Sequence, residues 1–332
     1  MAGAGSASEL WGSVNRMAVS QRFIDLLNLP MSALLKLATD LQVELPSGAR
    51  QWDIAKLVAR ASRDELEDND QGFLYAGRTS LSFFRLISDD GNISEDDVEI
   101  FRPRPGDALD HDAVVAALQA CADCDPFDEN DLPADITKEP TLVLARDWQG
   151  GLILTFAAAK RVLQVVHNYT AIEVLQDEFF NVFLRLGDGT LEVRASAVKA
   201  ARLNQGWLSS FADEIGLVAL AVILSESDVK RFKKKMNAVL AKGTVNEASG
   251  TKGIGTMTLG KSDFCDDLAE DEDYQATTAG YDHVASDLLF ECDGVEDPVR
   301  VQISTLKGSV FIRNAVPEKV VNDVYDAIFN GS

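Results

Sequence analysis

Phe180 to Arg194 reads FNVFLRLGDGTLEVR. Phe180, Val182, Leu184 and Leu186 recur at every second position, the period of a strand with one face in a core. Gly187-Asp188-Gly189 then supplies the backbone freedom for a reversal, and Leu191 and Val193 resume the alternation, so the stretch is an antiparallel hairpin. The same order returns near the C-terminus. Val299, Val301 and Ile303 alternate, the chain turns around Lys307-Gly308, and Val310 and Ile312 continue. Val182, Leu184, Gly189, Leu191, Val193 and Arg194 match Val301, Ile303, Gly308, Val310, Ile312 and Arg313 at a constant offset.

Working outward, Leu142–Ala145 and Leu152–Phe156 flank Asp147-Trp148-Gln149-Gly150-Gly151, another hairpin signal, and Phe73–Tyr75 and Leu81–Ile87 flank Gly77-Arg78. Helical periodicity follows over Lys199–Phe211 and Pro317–Phe329, the latter opened by Pro317 and closed by Gly331. The expected fold class is α+β. A small N-terminal helical module precedes antiparallel β-hairpins with helices packed on one face. Two alternatives stand for the repeated pattern: a duplicated hairpin–helix unit, or hairpins that share a common alternation.

The N-terminal module is expected over residues 21–65. Pro30 suits the first turn of a helix, and Leu34, Leu37, Ala38 and Leu41 make one apolar stripe. Val43 and Leu45 are extended, Pro46-Ser47-Gly48 is a turn, and Ile54, Leu57, Val58 and Ala61 make a second stripe. In L-P-x-x-x-L-L-x-L-A at Leu29–Ala38, and in the turn and basic helix from Ser47 to Arg60, the segment resembles helix–extension–helix modules of the SAP and transcription-terminator Rho N-terminal type. The resemblance covers roughly a tenth of the chain. It implies contact with DNA or RNA through the glycine turn and second helix, hence Gly48, Arg50, Lys56 and Arg60. Trp52-Asp53 departs from the family pattern, which usually has a polar or basic residue and then leucine there. A fainter likeness over Phe23–Val58 is to the N-terminal helices of the kinetochore family centromere protein N.

Residues 1–20 read as an N-terminal extension and residues 66–332 as an α+β body, readable as two halves, entered through the charged run Asp64–Asp70. At 332 residues and 46% hydrophobic content a sizeable core is available. The longest apolar run, Leu217–Leu224, is far short of the ~18 residues of a membrane span. The start lacks the pattern of a signal peptide, and four cysteines imply no disulfide framework. The expected location is therefore the cytoplasm, away from the membrane.

Charge divides the chain. It carries 53 acidic and 31 basic residues, a net −22, which favours solubility and basic partners and repels nucleic acid; a host with a salty cytoplasm would give the same composition. Two zones run the other way. One is the segment Arg22–Arg63. The other is Lys230-Arg231-Phe232-Lys233-Lys234-Lys235, where Val229, Phe232, Met236, Val239 and Leu240 mark an apolar helix face and leave the cations outside. Lys230, Arg231, Lys233, Lys234 and Lys235 are therefore candidate phosphate contacts.

Other motifs point to ordinary structure. Gly255–Ser262 satisfies G-x-x-x-x-G-K-[ST] but lacks a preceding strand and is followed by a wall of acid, so it reads as a loop. Cys121 and Cys124 have the spacing of half a zinc site, with Cys265 and Cys292 too far apart to complete it well, and Asp125–Asp131 lacks the calcium-loop pattern. His111, His167 and His283 sit beside no nucleophile in a recognisable motif. The sequence thus leads to a non-enzymatic, cofactor-free protein associated with nucleic acid, DNA ahead of RNA. The alternative is an acidic adaptor or inhibitor that binds a basic protein.

Overall fold

The computed structural model describes residues 26, 29, 31–61, 79–88, 108–128, 131, 133, 136–166, 170–195, 207–247, 256–261, 266–292, 295 and 297–330. The chain divides into two compact units, Met1–Leu74 and Tyr75–Ser332. The expected N-terminal extension, the Asp64–Asp70 run and the Phe73–Tyr75 strand lie outside the described residues.

In the first unit, α1 (Met31–Asp40) and α2 (Gln51–Ala61) each bury one stripe, Leu34 and Ala38 on α1 and Ile54, Ala55 and Val58 on α2. α1 ends where Gln42 takes a left-handed conformation (φ 54°) and the Val43 N–H returns to the Ala38 carbonyl, which satisfies an orphan carbonyl of the last turn. The Gln51 side chain donates to the Leu29 carbonyl at 2.8 Å and ties the start of α2 to the entry of α1.

The second unit is dominated by one antiparallel sheet of eleven strands. In chain order the elements are β1 (Ser80–Ser88), α3 (His111–Cys121), β2 (Thr141–Trp148), β3 (Gly151–Val166), β4 (Thr170–Arg185), β5 (Thr190–Ala195), α4 (Trp207–Glu214) and β6 (Leu217–Ala221). There follow α5 (Glu226–Lys235), β7 (Val239–Glu247), β8 (Thr256–Gly260), a 3-10 turn at Leu268–Glu270, α6 (Glu272–Thr278), β9 (Tyr281–Phe290), β10 (Val299–Ser304), β11 (Ser309–Ile312) and α7 (Glu318–Phe329). The spatial order is β2-β3-β4-β5-β1-β11-β10-β9-β7-β8, with β6 also paired to β1.

This corrects the expected architecture. The two hairpins read from the sequence do pair, Val182 with Val193 and Val301 with Ile312, but they are not separate hairpin–helix units. β1 joins them edge to edge: Leu81 pairs with Arg194 of β5 and with Val310 of β11, while Phe84–Ser88 pair with β6. Nor do the helices share one face. Leu81 and Phe83 enter a core with Val301, Ile303, Val310 and the apolar stripe of α7, whereas Phe84 and Leu86 enter a second core with Val182, Leu191 and Val193 beneath α3 and α4. Odd and even residues of one strand point to opposite faces, so the cores lie on opposite sides of the sheet. Among its described residues the first unit contributes two short helices, and it does not set the fold of the second.

The run Leu217–Leu224 forms β6 and its exit. α5 is shorter than its sequence stripe: it stops at Lys235, Asn237 turns with φ 48°, and Val239 and Leu240 belong to β7. Among the described residues no helix is long and apolar enough to cross a membrane.

Candidate functional site

Gly48, Arg50, Lys56 and Arg60 are all exposed. Gly48 stands at the third position of a turn closed by the Ala49 N–H on the Pro46 carbonyl, with φ 75°, a conformation that favours glycine. On α2 the buried Ile54, Ala55 and Val58 define the inner side. Trp52, Lys56 and Arg60 recur every fourth residue on the outer side, and Trp52 is 54% exposed. Asp53, the departure from the family pattern, has a local role. Its carboxylate accepts the Arg50 N–H at 3.1 Å, so it caps the start of α2.

The cations of α5 are placed differently. Arg231 donates to Asp228 and to the Ile328 carbonyl at the end of α7. Lys233 meets Asp267 at 2.6 Å with both groups largely buried, and Lys235 donates to the Asp326 carbonyl at 3.0 Å. These three hold α5 against α7 and the 3-10 turn. Burial alone would raise the Asp267 carboxyl, but Lys233 and the N–H groups of Ala269 and Leu240 outweigh it and hold it below the ordinary carboxylate range. Among the described residues Lys230 makes an exposed pair with Glu226 at 3.2 Å, an arrangement worth ~0–1 kcal/mol. Lys234 is exposed and, among the described residues, has no internal partner.

The phosphate-loop match does not form one. Thr256–Gly260 is the strand β8 paired to β7, whereas a phosphate loop would curl its N–H groups inward before a helix; Gly255 and Ser262 lie outside the described residues. Cys121 and Cys124 are free thiols, and no cluster of metal-ligating side chains occurs among the described residues. Burial, then Glu214, pushes the Cys121 thiol up; burial, then Asp131, does the same for Cys124. Both are held in the form that binds metal poorly. His111 bridges Asp112 (3.1 Å) and Asp147 (2.8 Å) at the surface, and His283 lies 3.4 Å from the Tyr274 hydroxyl. That pair borders a cleft of about 420 Å³ between α5 and α6, floored by Val229, Leu240 and Leu288.

Two arrangements were hidden in the sequence. The first is a buried ionic cluster under α7. Arg194 donates twice to Glu318 (2.6 Å each) and once to Glu192 (2.7 Å); Arg185 donates to Glu192 (2.9 Å) and to Asn322 (2.8 Å). Burial opposes the charge on Glu192, yet Arg194 and Arg185 outweigh it and hold the carboxyl below its ordinary range. Tyr325 donates to Asp188 at 2.6 Å, and burial followed by that carboxylate pushes its hydroxyl far up. These bonds cross from α7 to the sheet, so the cluster fastens α7 to β4 and β5.

The second arrangement is on the sheet face opposite the α7 core. Asp287, 1% exposed at its side chain, sits 2.7 Å from Arg300 and 3.6 Å from Arg313, with Lys242 its cross-strand neighbour on β7. No family model matches the chain, and no curated protein matches it.

Proposed function

We propose that the chain is a non-enzymatic protein of the reducing cytoplasm that associates with nucleic acid through the outer side of α2. The observation that carries this reading is the shared stripe of Trp52, Lys56 and Arg60, one helical turn apart and exposed, with Arg50 and the Gly48 turn at its N-terminal end. Cations so placed meet phosphates without reading bases, and an aromatic ring between them adds a stacking surface. The resemblance to helix–extension–helix modules implies contact through Gly48, Arg50, Lys56 and Arg60; Trp52 is this chain's own departure from that pattern. Of the α5 candidates, Lys230 and Lys234 remain available for phosphate; Arg231, Lys233 and Lys235 serve the fold.

Fluorescence anisotropy with labelled duplex DNA and single-stranded RNA over a salt series tests the reading. Binding is expected to fall steeply with salt. The charge reversals Lys56→Glu and Arg60→Glu together should flatten the duplex slope by about 1.8. Absence of binding at low salt, or an unchanged slope in the double variant, refutes it.

A second reading is favoured by the neutralised inner side of α5. With those cations matched internally, the net −22 of the chain presents a surplus of carboxylates to a basic protein. A complex recovered from lysate that survives nuclease treatment is its expected signature.

A further inference from the structure

We propose that the face of β7, β9, β10 and β11 turned away from α7 is a second contact surface for single-stranded nucleic acid; this deepens the nucleic-acid reading. The core residues of these strands, Leu288, Phe290, Val301, Ile303, Val310 and Ile312, use alternate positions and point to α7. The intervening residues form the opposite face. Register places Lys242, Asp287, Gln302 and Phe311 in one row across four strands. The next row carries Arg300 and Arg313, linked by the Arg313 N–H on the Arg300 carbonyl at 2.9 Å. On the other side runs a row of small residues, Thr258, Thr244, Ala285, Ser304 and Ser309.

Three features make this surface fit a single strand. Among the described strand residues of this face the charge is positive in a strongly acidic chain: Lys242, Arg300 and Arg313 surround Asp287, which is buried and already engaged by Arg300. The two arginine side chains are 40% and 36% exposed, so their outer N–H groups reach solvent. Arg313 also lies over the Phe311 ring, 5.5 Å from its centroid, and forms a flat cationic plate on which a base can stack. The row of small residues leaves room for a backbone to lie close to the sheet. A duplex would present its bases edge-on and leave the plate unused, so the geometry selects unpaired bases.

The test uses the full chain, a labelled oligothymidine and a salt series. Lys242→Gln removes an exposed cation without unpairing Asp287 and should lower the salt slope by about 0.7. Arg313→Lys keeps the charge and loses the plate; it should weaken binding about five-fold or more with an unchanged slope. Inorganic tripolyphosphate, which has no base, should bind this variant as it binds the wild type. If both variants bind oligothymidine like the wild type while Lys56→Glu/Arg60→Glu weakens it, the sheet face is not a contact and the α2 reading stands. If the sheet variants act and the α2 variant does not, the α2 reading falls alone. A wild type that binds no oligothymidine at low salt overturns the sheet-face proposal, and the duplex series then decides α2.

Discussion

Glu318→Ala should destabilise the second unit by about 3–5 kcal/mol, the usual cost of removing one partner from a buried ion pair. The cluster holds two cations, Arg185 and Arg194, and two carboxylates, Glu192 and Glu318, with side-chain exposures of 15%, 1%, 0% and 1%. It is balanced as built. Removing the Glu318 carboxylate deletes two charge-assisted bonds of 2.6 Å and leaves Arg194 to share the Glu192 carboxylate with Arg185. Glu318→Gln keeps one acceptor but turns an amide donor toward the guanidinium, and should cost about 2–4 kcal/mol. Lys319→Ala, at an exposed neighbour on the same helix, is the control and should stay within about 0.5 kcal/mol. The assay is urea unfolding followed by circular dichroism and tryptophan fluorescence, with the midpoints compared at a common slope. A Glu318→Ala loss below about 1 kcal/mol at an unchanged slope would refute the view that the cluster fastens α7.

Acid should act on the same cluster. Because the folded Glu192 carboxyl is held below its ordinary 4.5, its contribution is present above that value and disappears as pH falls through the folded pKa. The urea midpoint should drop below about pH 4.5, and a flat midpoint down to pH 3 would contradict this. His111 has the opposite sign. Its hydrogen bond to Asp147, then that to Asp112, raises it above 6.5, so its contribution is full below that value and lost as pH rises through the folded pKa. Proton NMR titration should give a midpoint above 6.5, and Asp147→Asn should lower it. Gly308→Ala should cost about 1–3 kcal/mol. The residue has φ 56°, and an added Cβ would stand 2.4 Å from the Val222 carbonyl oxygen, a contact that backbone cannot easily yield. Equal urea midpoints for that variant and the wild type would show that the turn relaxes.

Local pairing was legible in the sequence, and the sheet that unites it was not. The alternation of Val182, Leu184, Leu191 and Val193 around Gly189 gives a hairpin because both strands and the turn lie within a few residues. The position of β1 depends on partners more than a hundred residues away, and no local pattern encodes that. Thr190, Glu192 and Arg194 alternate with apolar residues, a pattern that carries no sign of their burial. They are buried because Glu318 and Tyr325 of a distant helix bring matching polar groups to Arg194 and Thr190. The same distance effect divides the candidate site. Exposure of Lys56 and Arg60 follows from the stripe on their own helix, whereas Arg231, Lys233 and Lys235 look free along α5 and find their partners on α7 and near Leu268. Arg300 and Arg313 gave no sequence signal, since they become neighbours only through strand register.

The central place of β1 has a consequence for how the chain is made. Ser82 pairs with Ser309, so the strand leaves the ribosome long before β11 exists. At ~5–20 residues per second the delay is on the order of tens of seconds. Through that interval β1 can pair with β5 and β6 once they emerge, but its remaining edge stays unpaired, a state that invites association between nascent chains. Sheets closed by such distant contacts also fold slowly after synthesis ends. A chain stopped before Ser309 would keep that edge open permanently, so truncation at the C-terminus should be felt first as aggregation, with loss of binding following from it.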